Sequence, residues 1–293
     1  MAGIIFCDAT ELYNMLNQNT RYSRLTEPIY LYLVDVRTKY QYYESHMITA
    51  KNAERDADGN YLMPQDIELE CVKYCVVYDG CTKSVDEEGP AIQYAKLLEV
   101  VSRQPIQVLN GGYELFSAYY PFFRTQKIFY MPQELDAFEP YPVEILPAKL
   151  YMGDFKQASK KQVQKHLKIK AYLNLCQEKE IIFEEENNAP ILHIPSAEET
   201  NLLSHFAIAC YFLDDYLDKG AVLIFSTLGI SRCCTIVIAY LIHSQKISLK
   251  DAWAHVQKCK ATIRPHRSFV YQLSKWEETI LKKMITDISD PYY

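Results

Sequence analysis

The sequence predicts two α/β domains in series, each with a central sheet flanked by helices. Three observations predict it. Apolar, β-prone runs alternate with stretches of helical spacing along the chain, the pattern of layered α/β folds. The chain has 293 residues, enough for two ordinary domains, and its 49% hydrophobic and 23% charged content is that of a globular protein. A connection at about 124–143, rich in Pro132, Pro140, Pro142, Glu134, Asp136 and Glu139, interrupts the pattern. Residues 1–132 are accordingly assigned to the first domain, 133–143 to a linker and 144–293 to the second.

In the first domain, residues 8–17 predict a short helix, with Asp8 or Thr10 as cap and Leu12, Met15 and Leu16 on one face. Residues 29–37 read as a strand running into a charged turn, 40–45 as a short helix, 74–79 as a buried strand and 91–101 as a helix. A last strand ends at the turn Asn110-Gly111-Gly112. The order and spacing of Asp35-Val36-Arg37, Glu44-Ser45-His46, Ala50 and the Gly-Gly turn resemble the rhodanese-like fold. That fold is also the noncatalytic N-terminal module of mitogen-activated protein kinase phosphatases. The resemblance implies that a sulfurtransferase cysteine would directly follow the central strand, where Asp79 stands. Cys81 lies two residues on, in a loop with Asp86, Glu87 and Glu88, and nearby negative charge raises a thiol pKa. Cys81 therefore reads as a structural or surface residue, and sulfur transfer through it is the least favoured activity. Relatives of this type often dock kinases through clustered arginines. Here Lys51, Glu54, Arg55, Asp56 and Asp58 mix signs, which reads as a solvated turn.

The second domain opens with 144–153 as a strand, 158–167 as a helix and 171–175 as a second strand. An acidic loop at 178–188, a third strand at 191–195 and a helix over 201–218 follow. Val222–Phe225 predicts a buried strand and Cys233–Leu241 a helix with Ser231 and Arg232 in its first turn. Ser248 can cap a further helix carrying Ala252, Val256 and Cys259 on one side, and Ile263 to Leu273 is a closing helical region.

Strand, tight loop and helix N-terminus is a geometry that holds an anion, because loop amides and the helix dipole converge on one point. Ser226, Thr227, Leu228, Gly229, Ile230, Ser231 and Arg232 form such a phosphate cradle, with Arg232 offering a fork to two phosphate oxygens. This loop resembles the signature of cysteine-dependent dual-specificity phosphatases: His-Cys, five residues, Arg. In that family the Cys attacks phosphate and a hydroxyl residue after the Arg stabilises the leaving thiolate. Here Phe225 stands at the His position, Ser226 at the Cys position and Cys233 at the hydroxyl position.

Ser226 is a poor replacement. A thiol pKa of about 8.5 is pulled down beside a cation and a helix N-terminus, whereas a serine needs a positioned general base. His205 and His243 read as helix-face histidines. The family's general acid is an Asp about thirty residues upstream. The position falls on Ala197 or Glu198, and Glu198 and Glu199 read as loop charges unless one substitutes for the acid. The resemblance is strongest to the pseudophosphatase branch of the family. It implies a noncatalytic binding protein whose partners are phosphorylated or signalling proteins, kinases and phosphatases among them. The alternative is a weak phosphatase using Ser226 or a nearby thiol.

Composition narrows the rest. A net charge of -6 argues against direct nucleic-acid contact, and no run approaches 18 apolar residues, so no membrane span is expected. The first residues lack a basic region and soon carry Asp8 and Glu11, which fits neither a secretory signal nor an ordinary mitochondrial presequence. Nine cysteines, an odd number in apolar runs, read as reduced thiols. Cys71 and Cys75 have no matching pair at zinc spacing, so neither a metal nor a cofactor is expected. The expected location is the cytoplasm, with mitochondria as the alternative.

Overall fold

Two units, Met1–Glu139 and Pro140–Tyr293, each have their own packed interior. This computed structural model describes residues 3–20, 22–84, 86–177, 189–197, 200–290 and 293.

The first unit runs β1 (Ile4–Cys7), α1 (Ala9–Leu16), β2 (Leu31–Asp35), α2 (Lys39–Glu44), β3 (His46–Met47), β4 (Lys51–Asn52), β5 (Tyr74–Tyr78), α3 (Pro90–Glu99), β6 (Ile106–Leu109), α4 (Gly112–Tyr119) and β7 (Arg124–Thr125). Strands β1-β6-β5-β2-β4 form one parallel sheet, and β3 and β7 pair as a small antiparallel ribbon. Parallel strands are buried on both faces, hence the continuous Leu-Tyr-Leu-Val and Tyr-Cys-Val-Val runs of β2 and β5. Asp8 is the residue that caps α1, and its backbone N–H donates to the Glu11 carboxylate. The connection is not wholly irregular: Pro132–Leu135 forms a 3₁₀ turn and buries Leu135.

The second unit runs β8 (Val143–Leu146), β9 (Leu150–Asp154), α5 (Phe155–Ala158), α6 (Lys161–His166), β10 (Ile169–Asn174), β11 (Ile191–His193), α7 (Leu203–Leu217), β12 (Ala221–Ser226), α8 (Arg232–Gln245), α9 (Leu249–Cys259) and α10 (Arg267–Leu281). Its sheet order is β11-β10-β12-β9-β8, parallel except for β8 against β9. Two sequence expectations are corrected. Residues 144–153 are not one strand but a hairpin. The turn at Ala148, with φ of +55°, is held by the buried Glu144 carboxylate, which accepts from Ala148 N and Tyr151 Oη. The single helix over 158–167 is two short helices, broken where the Ser159 hydroxyl bonds back to Phe155 O. The acidic loop over 178–188 lies outside the described residues.

The core explains why the cradle sits where it does. All six residues of β12 are buried in the centre of the sheet, and α8 buries ten consecutive residues, Cys233 to Ile242. A helix apolar on every side is found deep in a domain. Strand and helix thus form a rigid axis, and the loop between them is held from both ends.

Candidate functional site

β12 ends at Ser226, which lies opposite Asp154 of β9. The loop then turns through Gly229, whose φ is +68°. A Cβ at Gly229 would lie 2.9 Å from the carbonyl carbon and oxygen of Gly153, so only glycine both adopts this backbone and clears β9. The Gly229 N–H donates to Ser226 Oγ at 3.3 Å. That hydroxyl is nearly covered, with Ser226 only 2% exposed. Phe225 is fully buried, its ring 6.5 Å from that of Phe155, and it offers no proton acceptor. Beneath the loop lies the Cys233 thiol. Burial works to raise its pKa, but the neighbouring Cys234 and Ser226 and the Lys260 charge bring it below its ordinary value. Cys234 is pushed well above its own, first by burial. Both sulfurs are fully enclosed.

Arg232 is engaged within its own fold. Nη1 donates to Leu175 O at 3.0 Å and to Ser196 O, and Nη2 donates to Thr227 Oγ1 at 3.3 Å. The side chain braces the cradle against the segments following β10 and β11. Phosphate would compete with, or share, these donors.

Of the positions expected for the acid, Ala197 is exposed and its backbone N–H donates to Thr200 Oγ1 at 2.7 Å; Glu198 and Glu199 lie outside the described residues. His205 bonds within its own helix turn, to Asn201 O, and His243 faces Asp214 and stacks on Trp276. Neither histidine lines the cradle.

Sequence reasoning missed the other flank. The Arg264 N–H donates to Ile230 O at 2.7 Å and the His266 N–H to Ser231 Oγ at 3.2 Å, which straps Arg264-Pro265-His266 along the loop. An open pocket of about 600 Å³ reaches from Ser226 and Arg232 to this strap and to Trp253. Three arginines and a histidine line it, and among the described residues no Asp or Glu does. The clustering of Arg264, His266 and Arg267 was visible in the sequence, but its position beside the loop was not.

In the first unit, Asp79 fills the loop after the central strand with its own carboxylate. Oδ1 accepts from Cys81 N and Thr82 N at 3.1 and 2.9 Å, and Oδ2 from Thr82 Oγ1 at 2.5 Å and Ala91 N at 3.4 Å. Loop amides that would receive a bound anion already hold one. Cys81 is exposed beside them. Among the described residues, no cluster of three His, Cys, Asp or Glu side chains has the arrangement to hold a metal. No helix among them is long and apolar enough to cross a membrane.

Comparison with known proteins places both units. Residues 150–279 match the dual specificity phosphatase catalytic domain, and residues 8–119 match the rhodanese-like domain. The chain therefore carries a rhodanese-like domain followed by a domain of the dual specificity phosphatase type. Human dual specificity protein phosphatase 4 is 31% identical over 200 residues, which cover 61% of this chain and 50% of that protein. Dual specificity protein phosphatase Mpk3 of Drosophila melanogaster is 31% identical over 142 residues, 47% of this chain and 34% of that one. The chain spans about half the length of the first of these curated relatives and less of the second. Among solved structures, the human tyrosine phosphatase-like serine/threonine/tyrosine-interacting protein is 27% identical with a TM-score of 0.41, covering 47% of this chain and 96% of that one.

Proposed function

We propose that the chain is a phosphatase-fold binding protein, a pseudophosphatase that recognises phosphorylated or signalling proteins without hydrolysing them. The observation that carries this reading is the oxygen at the attacking position. Ser226 Oγ accepts from the Gly229 amide and neighbours a thiol, and among the described residues no carboxylate or imidazole bonds to it. A neutral hydroxyl without a base is a weak nucleophile. The sequence Phe225-Ser226-Thr227-x-Gly229-Ile230-Ser231-Arg232 most resembles that of serine/threonine/tyrosine-interacting-like pseudophosphatases. A kept glycine turn, helix N-terminus and arginine support continued phosphate recognition. The partner class is phosphoproteins, kinases and phosphatases included, acting in the cytoplasm.

Purified chain assayed on a chromogenic phosphate ester tests the first half of the reading. No turnover above that of Ser226→Ala is expected; turnover abolished by that substitution would overturn it in favour of a weak phosphatase. Titration with a phosphotyrosine peptide tests the second half. Binding that is absent, or unchanged in Arg232→Lys, would refute recognition by the cradle.

A further inference from the structure

We infer that the segment following α10 is an autoinhibitory tail: Tyr293 occupies the Trp253 end of the pocket beside the cradle, and a phosphorylated peptide must displace it to bind. The inference rests on the cradle reading above and adds to it a regulation of the same site.

Four observations support it. First, the tail is led back along its own helix. α10 stops at Lys282, whose left-handed φ of +61° turns the chain away from the helix axis. The Glu277 carboxylate then accepts from Ile285 N at 3.1 Å and Thr286 N at 3.0 Å, and Ile288 packs against the core. Arg267, the first residue of α10, donates to Ile288 O and, at 3.0 Å, to Tyr293 O. Second, this course ends in the site. Tyr293 lines the pocket that contains Ser226 and Arg232, and its ring meets that of Trp253 edge-on, with centroids 5.2 Å apart. A peptide held by the cradle and running toward α9 needs the volume that this ring fills. Third, the tail carries the sign of charge that such a peptide brings. Asp287 and Asp290 stand within two residues of the Ile288 carbonyl that Arg267 holds, beside a pocket lined by three arginines. Fourth, the closed arrangement is poised rather than locked. Both bonds from Arg267 are exposed, so water can replace them. Trp253 is buried and its Nε1 has no acceptor among the described residues. A buried N–H without a partner is a standing cost, and withdrawal of Tyr293 uncovers the indole to water or to a ligand carbonyl.

Calorimetric titration of the full chain with one phosphotyrosine peptide tests this, on wild type, Tyr293→Ala, Tyr293→Phe and Ile288→Ser. Ile288 is not among the residues that line the pocket, so its variant loosens the tail from outside the site. Tyr293→Ala and Ile288→Ser are expected to bind about fivefold tighter than wild type, the size of one lost ring contact, and Tyr293→Phe to stay within about twofold. Acrylamide quenching of tryptophan emission, read without peptide, is expected to rise in the same two variants, because Trp253 is one of two tryptophans in the chain. Affinity that is unchanged in Tyr293→Ala, or weaker, overturns the autoinhibitory role and leaves the cradle standing. Quenching unchanged in both loosened variants overturns the cover over Trp253 and the proposal with it. Failure of all four chains to bind, the loosened variants included, overturns the cradle reading as well.

Discussion

The Ser226 hydroxyl and the buried Cys233 thiol are neighbours beneath the cradle, seven residues apart in sequence. The family resemblance expects sulfur above and oxygen below; this chain has them exchanged. The sulfur is fully buried, the oxygen at the attacking position is itself nearly covered, and among the described residues no base bonds to it.

Restoring the order should restore chemistry in steps. Phe225→His with Ser226→Cys is expected to give measurable hydrolysis of a chromogenic ester, still limited by the missing acid. Adding Cys233→Ser supplies a hydroxyl to the leaving thiolate, and one such bond corresponds to about tenfold in rate. Steady-state kinetics of the double and triple variants check this. Equal rates would show that the lower position does not act on the upper one. Both variants lose buried aromatic packing at Phe225, so thermal unfolding is recorded alongside.

Arg232 has two roles that one substitution can separate. Arg232→Ala leaves Leu175 O and Ser196 O without their donor and is expected to cost about 1–3 kcal/mol of stability. Arg232→Lys keeps a charge and loses the fork. Its denaturant midpoint should lie between those of wild type and alanine, while phosphopeptide affinity falls for both. An alanine variant as stable as wild type would refute the bracing role.

Gly229→Ala should destabilise the second unit by about 2 kcal/mol or more. It forces a Cβ onto a positive φ and into the Gly153 backbone. Urea unfolding measures it, and a loss below about 0.5 kcal/mol would mean that the loop can shift away from β9.

Glu277 gives the second unit an acid-sensitive contact. Its carboxyl is fully buried, and burial acts to raise its pKa. Bonds donated by Leu249 N, Thr286 N, Thr286 Oγ1 and Ile285 N outweigh that and hold it below the ordinary 4.5. A depressed folded-state pKa means the stabilisation is complete above about pH 4.5 and fades as pH falls through the lower folded value. Glu277→Gln is expected to lower stability near neutrality by about 1–3 kcal/mol and to flatten the acid limb of the stability curve. Unfolding free energies from pH 7 to pH 3 read both effects. An unchanged acid limb would assign the acid response elsewhere.

Asp79→Ala should destabilise the first unit, since four donors lose their shared acceptor. Cys81→Ser should change neither stability nor sulfur transfer from thiosulfate to cyanide. Sulfur transfer abolished by that substitution would make Cys81 a nucleophile.

Local patterns survive translation into structure because they are short-range. The burial of β12 and α8 followed from unbroken apolar runs, and of the two cap candidates for α1 it is Asp8 that caps it. The hairpin at 143–154 is not legible in the sequence because its turn depends on Glu144 reaching Ala148 and Tyr151, and a single apolar run does not reveal that fold-back. Arg232's carbonyl partners lie 57 and 36 residues upstream, and Arg264 meets Ile230 only because α8 and α9 carry the chain out and back. Periodicity and residue type report which groups a segment can offer. Which of those groups meet is decided by packing, since a hydrogen bond between distant residues forms only when the whole core has already brought them within 3 Å or so of each other.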